Sequence, residues 1–225
     1  DGNTLDLGAH SPAEWVDMLR ACFALVDTQM PLLGQELRLV ARQVVPVGFD
    51  PESHLSASYK ESIGTAYMSL HPNEMTMAEA LIHEFQHNKL NAASWLDPLL
   101  QNAFEPLFAS PVRPDPRPLW GVLLAVHAFQ PVAELYRVMR SNGHENAENP
   151  SFTRRFQQIV AKNHEGATTI RAHAKPTVIG AQLVAEMTQL DDAFAPFRLE
   201  PAIPRGESKA RVQPDALRPL ENPPS

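Results

Sequence analysis

Two histidines four residues apart frame the run His83-Glu84-Phe85-Gln86-His87. On an α-helix, positions i and i+4 share a face, so both imidazoles can reach a single metal ion. Glu84 falls about 100° further round the axis, near enough to meet a group bound to that ion. Imidazole suits zinc and iron alike, so the spacing implies a divalent transition metal without naming it. Further positions must stay open for chemistry, and a third protein ligand is needed to hold the ion.

The candidates for that third ligand are His127, Glu105, Glu134, His164 and His173. His127 is preferred because it stands alone among Val126, Ala128 and Phe129 on an otherwise apolar stretch, where a polar ring without a partner is costly. Glu105 is its rival, because a glutamate from the following helix completes many zinc peptidases of this motif. In such a peptidase Glu84 would be the general base that deprotonates metal-bound water.

The elements that must position these residues follow from caps and periodicity. Ser11-Pro12-Ala13-Glu14 is a capping box with proline at the first helical position, and it opens a helix. Trp15, Met18, Leu19, Cys22, Val26 and Met30 recur at helical spacing as its buried stripe, until Pro31 and Gly34 interrupt the pattern. Stretches 37–47, 55–59 and 64–70 lean towards β and predict a small sheet. A second box, Thr76-Met77-Ala78-Glu79, then launches the helix that carries His83 and His87.

Residues 94–108 read as a short helix broken near Pro98. Pro111, Pro114, Pro116 and Pro118 stiffen an extended loop that carries Arg113 and Arg117. From Pro118, the apolar series Leu119, Leu123, Val132, Leu135 and Val138 predicts a long helix, kinked at Pro131. Two more helices are expected over 151–173 and 177–194. Residues 196–225, rich in proline and charge, read as a tail.

Composition narrows the function classes. A chain of 225 residues with 44% apolar content fits one catalytic domain, placed at 1–195. A net charge of −7 without clustered Lys and Arg argues against a nucleic-acid partner. No apolar run in the sequence suggests a membrane span, and a soluble, cytoplasmic protein is expected. The lone Cys22 falls among apolar positions as a core thiol, in keeping with a reducing compartment. The chain opens on Asp rather than Met, so it is expected to be part of something longer.

Three segments resemble the HExxH-type 2-oxoglutarate-dependent peptide β-hydroxylases, an HExxH-motif domain associated with ribosomally made, modified peptides. They are Glu79-Ala80-Leu81-Ile82-His83-Glu84-Phe85-Gln86-His87-Asn88-Lys89-Leu90-Asn91, then Asp115-Pro116-Arg117-Pro118, and Gly121-Val122-Leu123-Leu124-Ala125-Val126-His127-Ala128-Phe129. The resemblance covers roughly residues 64–140. It implies an Fe(II) centre held by His83, His87 and His127, using 2-oxoglutarate and O2 to hydroxylate the β-carbon of a residue in a ribosomally made precursor peptide. Three protein ligands on an octahedral ion leave two positions for the keto acid and one for O2. The distal carboxylate of 2-oxoglutarate needs a cation, assigned to Arg117 with Arg113, Lys89 and Arg137 as alternatives. Glu84 would then position a ligand or substrate.

The fold expected is α+β: a helix-rich, zincin-like domain with a small β-sheet, a metal-binding HExxH helix, and a cleft between the His83 and His127 helices. The competing function is a zinc metallopeptidase with Glu84 as general base. A closed four-ligand site in a binding module is the third possibility.

Overall fold

The computed structural model describes residues 5–48, 54–110 and 114–198. They form a helix-rich α+β protein with a small sheet, in two compact units: one reaches Lys89 and the other starts at Leu90.

In the first unit, α1 (Pro12–Gln29) begins as its capping box dictates. The Ser11 hydroxyl accepts the Glu14 N–H at 3.3 Å, while the Glu14 carboxylate accepts the Ser11 N–H at 2.7 Å. The helix buries Trp15, Cys22, Leu25 and Val26, whereas Met18, Leu19 and Met30 of the expected stripe stay half-exposed. Burial pushes the Cys22 thiol up to about 12, as befits an inert core residue.

A second helix, α2 (Pro31–Val40), corrects the expectation of β structure from residue 37. Pro31 does not end the helical pattern but starts a new one, since at the first helical position its missing N–H costs nothing. Gly34 is a packing glycine: a Cβ there would lie 2.2 Å from Asp27 Oδ1 on α1. Strand begins only at β1 (Gln43–Pro46), joined by β2 (Ser56–Ala57) and β3 (Thr65–Met68). The sheet order is β1-β3-β2, with β1 parallel and β2 antiparallel to the central β3. Gly64, at φ +89°, leads into β3 where a side chain would strike Arg42 Cγ at 2.6 Å and the Val40 carbonyl at 3.0 Å.

The metal-motif helix, α3 (Glu74–Ser94), starts earlier than its sequence box implies. Asn73 supplies the cap, its side-chain oxygen accepting the Thr76 N–H at 3.0 Å, so Thr76 itself already lies in the first turn.

In the second unit, the expected helix over 94–108 is absent: α3 ends at Ser94, and residues 95–108 are not helical. Side chains supply the turns instead: Asp97 accepts the Leu99 N–H at 2.6 Å and the Thr177 hydroxyl at 2.6 Å, and Asn102 accepts the Lys175 N–H at 2.9 Å. The stretch ends in β4 (Leu107–Phe108), which pairs antiparallel with β5 (Arg117–Pro118) across the proline-rich loop.

Three long helices follow: α4 (Leu119–Ser141), α5 (Pro150–His173) and α6 (Val178–Ala193), with the short α7 (Ala195–Arg198) after them. Pro131 lies inside α4 without ending it. Leu119, Leu123 and Val126 of α4 share a core with Ile170 of α5 and Met187 of α6. By length and composition α4 is apolar enough to cross a membrane, which the sequence did not suggest, but most of it is buried inside the protein. Of the expected tail, only residues 196–198 are described, within α7.

Candidate metal centre

Residues 81–86 of α3 are all buried and His87 is half-buried, so this helix has little solvent face along the motif. Such a helix must be held by polar contacts as well as apolar ones. Asn88, fully buried, supplies the main one. Its Oδ1 accepts the Gly64 N–H at 2.6 Å, and its Nδ2 donates to the carbonyls of Thr65 (3.0 Å) and Glu84 (2.9 Å). One side chain thus ties the helix turn that bears the motif to the start of the central strand.

The motif residues come together on this turn. The His83 and His87 rings lie with centroids 4.2 Å apart at an interplanar angle of 55°. Glu84 is 2% exposed, and both its oxygens are taken: the Ser56 hydroxyl donates to Oε1 at 2.6 Å and the Ser58 hydroxyl to Oε2 at 2.7 Å. His87 Nδ1 lies 3.8 Å from Glu84 Oε2. Burial pushes the Glu84 carboxyl up to about 7, against the two serine hydrogen bonds that pull it down. Burial likewise lowers His87 to about 4, leaving a neutral ring.

This pair fits a transition-metal ion on its donor chemistry. Neutral imidazole is the ligand form, and His87 Nε2 is a buried nitrogen that meets no hydrogen-bond partner among the described residues. Among those residues, however, no three His, Cys, Asp or Glu side chains are grouped so as to hold an ion.

The other candidates, Lys89 apart, belong to the second unit. His127 is buried on α4, 9% exposed, between the fully buried Val126 and Ala128. Arg117 of β5 holds its Nε 2.8 Å from Asp115 Oδ2, and its stem runs over Gly121. Arg113 lies outside the described residues. Glu105 is exposed in the irregular stretch before β4, not on a helix. Glu134 is bound by Arg137, so each of these two engages the other. His164 meets Asp191 at 3.0 Å, a carboxylate also held by Arg171 and Arg198, and His173 packs its ring 4.8 Å from that of Phe108. In the first unit, Lys89 is paired with Glu36.

Sequence reasoning missed Ser56, Ser58 and Asn88. The serines carried a legible signal, since positions i and i+2 on a strand face the same way. Nothing local pointed to their partner Glu84, 28 residues beyond Ser56 and 26 beyond Ser58. No family model matches the chain, and a search of curated proteins finds no match.

Proposed function

We propose that this chain is a non-haem Fe(II)- and 2-oxoglutarate-dependent oxygenase that hydroxylates the β-carbon of a residue in a ribosomally made peptide, built on a zincin-like arrangement of strand, turn and metal helix. The supporting observation is the state of Glu84. Both of its oxygens accept serine hydrogen bonds and it is buried, which suits a carboxylate that fixes its neighbours better than one that must collect a proton from water.

In this reading His83 and His87 are two of the inner ligands, and His127 supplies the third. Bound iron would supply O2 activation coupled to the decarboxylation of 2-oxoglutarate to succinate and CO2. The chain's own part is to bind and orient. Glu84, 3.8 Å from His87 Nδ1, aligns that ring, and Ser56 and Ser58 hold Glu84. Arg117 exchanges Asp115 for the distal carboxylate of the cosubstrate, a bidentate match for a guanidinium.

A second reading, a zinc metallopeptidase, is favoured by one observation: a Glu84 carboxyl pushed up to about 7 is well matched to general-base work. Mass spectrometry separates the two. Peptides incubated with Fe(II), 2-oxoglutarate and O2 should gain one oxygen and stay intact; backbone cleavage with zinc and no gain of oxygen would select the peptidase.

A further inference from the structure

Asn163 sits in the middle of α5 on the face that this helix buries, with Phe156, Ile159 and Val160 before it and Ala167 and Ile170 after it. It is 4% exposed, and its Nδ2 meets no hydrogen-bond partner among the described residues. Buried amides are almost always satisfied, because a donor withdrawn from water without a partner is costly. Gln130 of α4 shows how the same bundle treats another one: its Nε2 donates to the Met187 carbonyl of α6 at 2.7 Å. The fold itself accounts for Gln130 and does not account for Asn163.

The height of Asn163 along the bundle gives its neighbour, since α4 and α5 pack against each other. At one end the Tyr136 ring of α4 meets those of Phe152 and Phe156 of α5, with centroids at 4.4 and 6.1 Å. Towards the other end, Leu119 and Leu123 of α4 share a core cluster with Ala167 and Ile170 of α5. The two helices are therefore antiparallel. Nine residues back from Tyr136 is His127, and nine on from the midpoint of Phe152 and Phe156 is Asn163, so at one common rise per residue the two lie level.

We propose that Asn163 is a binding residue for the keto acid: its amide N–H donates to the carboxylate at the metal end of 2-oxoglutarate, beside His127. Arg117, ten residues before His127 in the chain, takes the distal carboxylate. The proposal deepens the oxygenase reading and rests on it. An uncharged donor suits this place, because a carboxylate that gives one oxygen to a metal has its other oxygen left for a hydrogen bond, and a bond to a charged acceptor is stronger than one between neutral groups.

The test is anaerobic titration of 2-oxoglutarate into the Fe(II)-loaded full chain, read by the visible charge-transfer band, with iron affinity measured separately by chelator competition in the absence of the keto acid. Two variants are used: Asn163→Ala removes the amide, and Asn163→Leu also fills its place. Circular dichroism checks that both keep the wild-type fold. Each should weaken 2-oxoglutarate by about tenfold to a hundredfold, the loss of one hydrogen bond to a charged group. Iron affinity without the keto acid should not change, whereas a residue that merely shapes the bundle around His127 would move both affinities together. Unchanged 2-oxoglutarate affinity in Asn163→Ala would overturn the proposal even if Asn163→Leu were weakened, because a loss in the bulkier variant alone marks a blocked space and not a lost donor. Equal losses of iron and of 2-oxoglutarate would overturn it as well, and either result leaves the oxygenase reading standing. A wild-type chain that holds iron but gives no band with 2-oxoglutarate would overturn both.

Discussion

Glu84 is the residue on which the two enzyme readings part. In a peptidase its carboxylate must accept a proton from bound water, whereas in an oxygenase it holds geometry. Glu84→Gln keeps the shape and one acceptor oxygen but cannot act as a base. The variant is expected to bind iron and still convert 2-oxoglutarate to succinate, with poorer coupling to peptide oxidation. Turnover assays of succinate against hydroxylated peptide measure this directly. A fall of roughly 100-fold or more in a zinc-dependent cleavage activity, with metal retained, would instead mark a general base. The histidines divide similarly. On the proposed reading His83→Ala and His87→Ala would each remove an inner ligand and should abolish stoichiometric iron binding, and so should His127→Ala. His164→Ala should not, because that ring is engaged by Asp191.

Among the elements, α3 must be fixed against β3 for the motif turn to keep its shape. Asn88 makes two buried hydrogen bonds from α3 to the start of β3, so Asn88→Ala strands the Gly64 N–H and the Thr65 carbonyl without partners. The expected cost is about 1–3 kcal/mol, seen as a lower denaturant midpoint, with iron affinity falling as the motif turn loosens. Which elements were legible in the sequence follows from how local their causes are. The α1 capping box and the apolar periodicity of α4, α5 and α6 lie within a few residues of what they determine, and those helices stand where the spacing puts them. α2 was obscured because Pro31 and Gly34 look like breakers. One is a first-position proline and the other makes room for Asp27. Residues 94–108 misled in the opposite direction, their apolar content suggesting a helix that Asp97 and Asn102 replace with side-chain-bonded turns. Within the site, His83, Glu84 and His87 could be read from spacing alone. The serine clamp could not, since Ser56 and Ser58 meet Glu84 only after the chain has folded through β3.

Over the whole molecule, the dependence of stability on pH is set in part by His54. Burial, and secondarily the neighbouring His71, lower it from 6.5 to about 4. Its ring lies 5.9 Å from that of His71, itself lowered by burial. A histidine kept neutral in the folded state contributes stability that is complete above pH 6.5. That contribution is lost as the pH falls from there towards 4, because the unfolded chain takes up the proton first. Denaturant unfolding at pH 7.5 and pH 4.5 should differ by up to roughly 3 kcal/mol from this residue, with a smaller difference in His54→Asn. Equal pH dependence in the two proteins would place the acid sensitivity elsewhere.

The chain's function turns on whether it holds Fe(II) together with 2-oxoglutarate, and anaerobic titration of Fe(II) with and without the keto acid measures that most directly. The expected result is a weak visible metal-to-ligand charge-transfer band that appears only with 2-oxoglutarate, saturates at one iron per chain, and is lost in His83→Ala, His87→Ala and His127→Ala. A protein that gives no such band at any iron concentration, yet cuts peptides with zinc in a Glu84-dependent way, would contradict it.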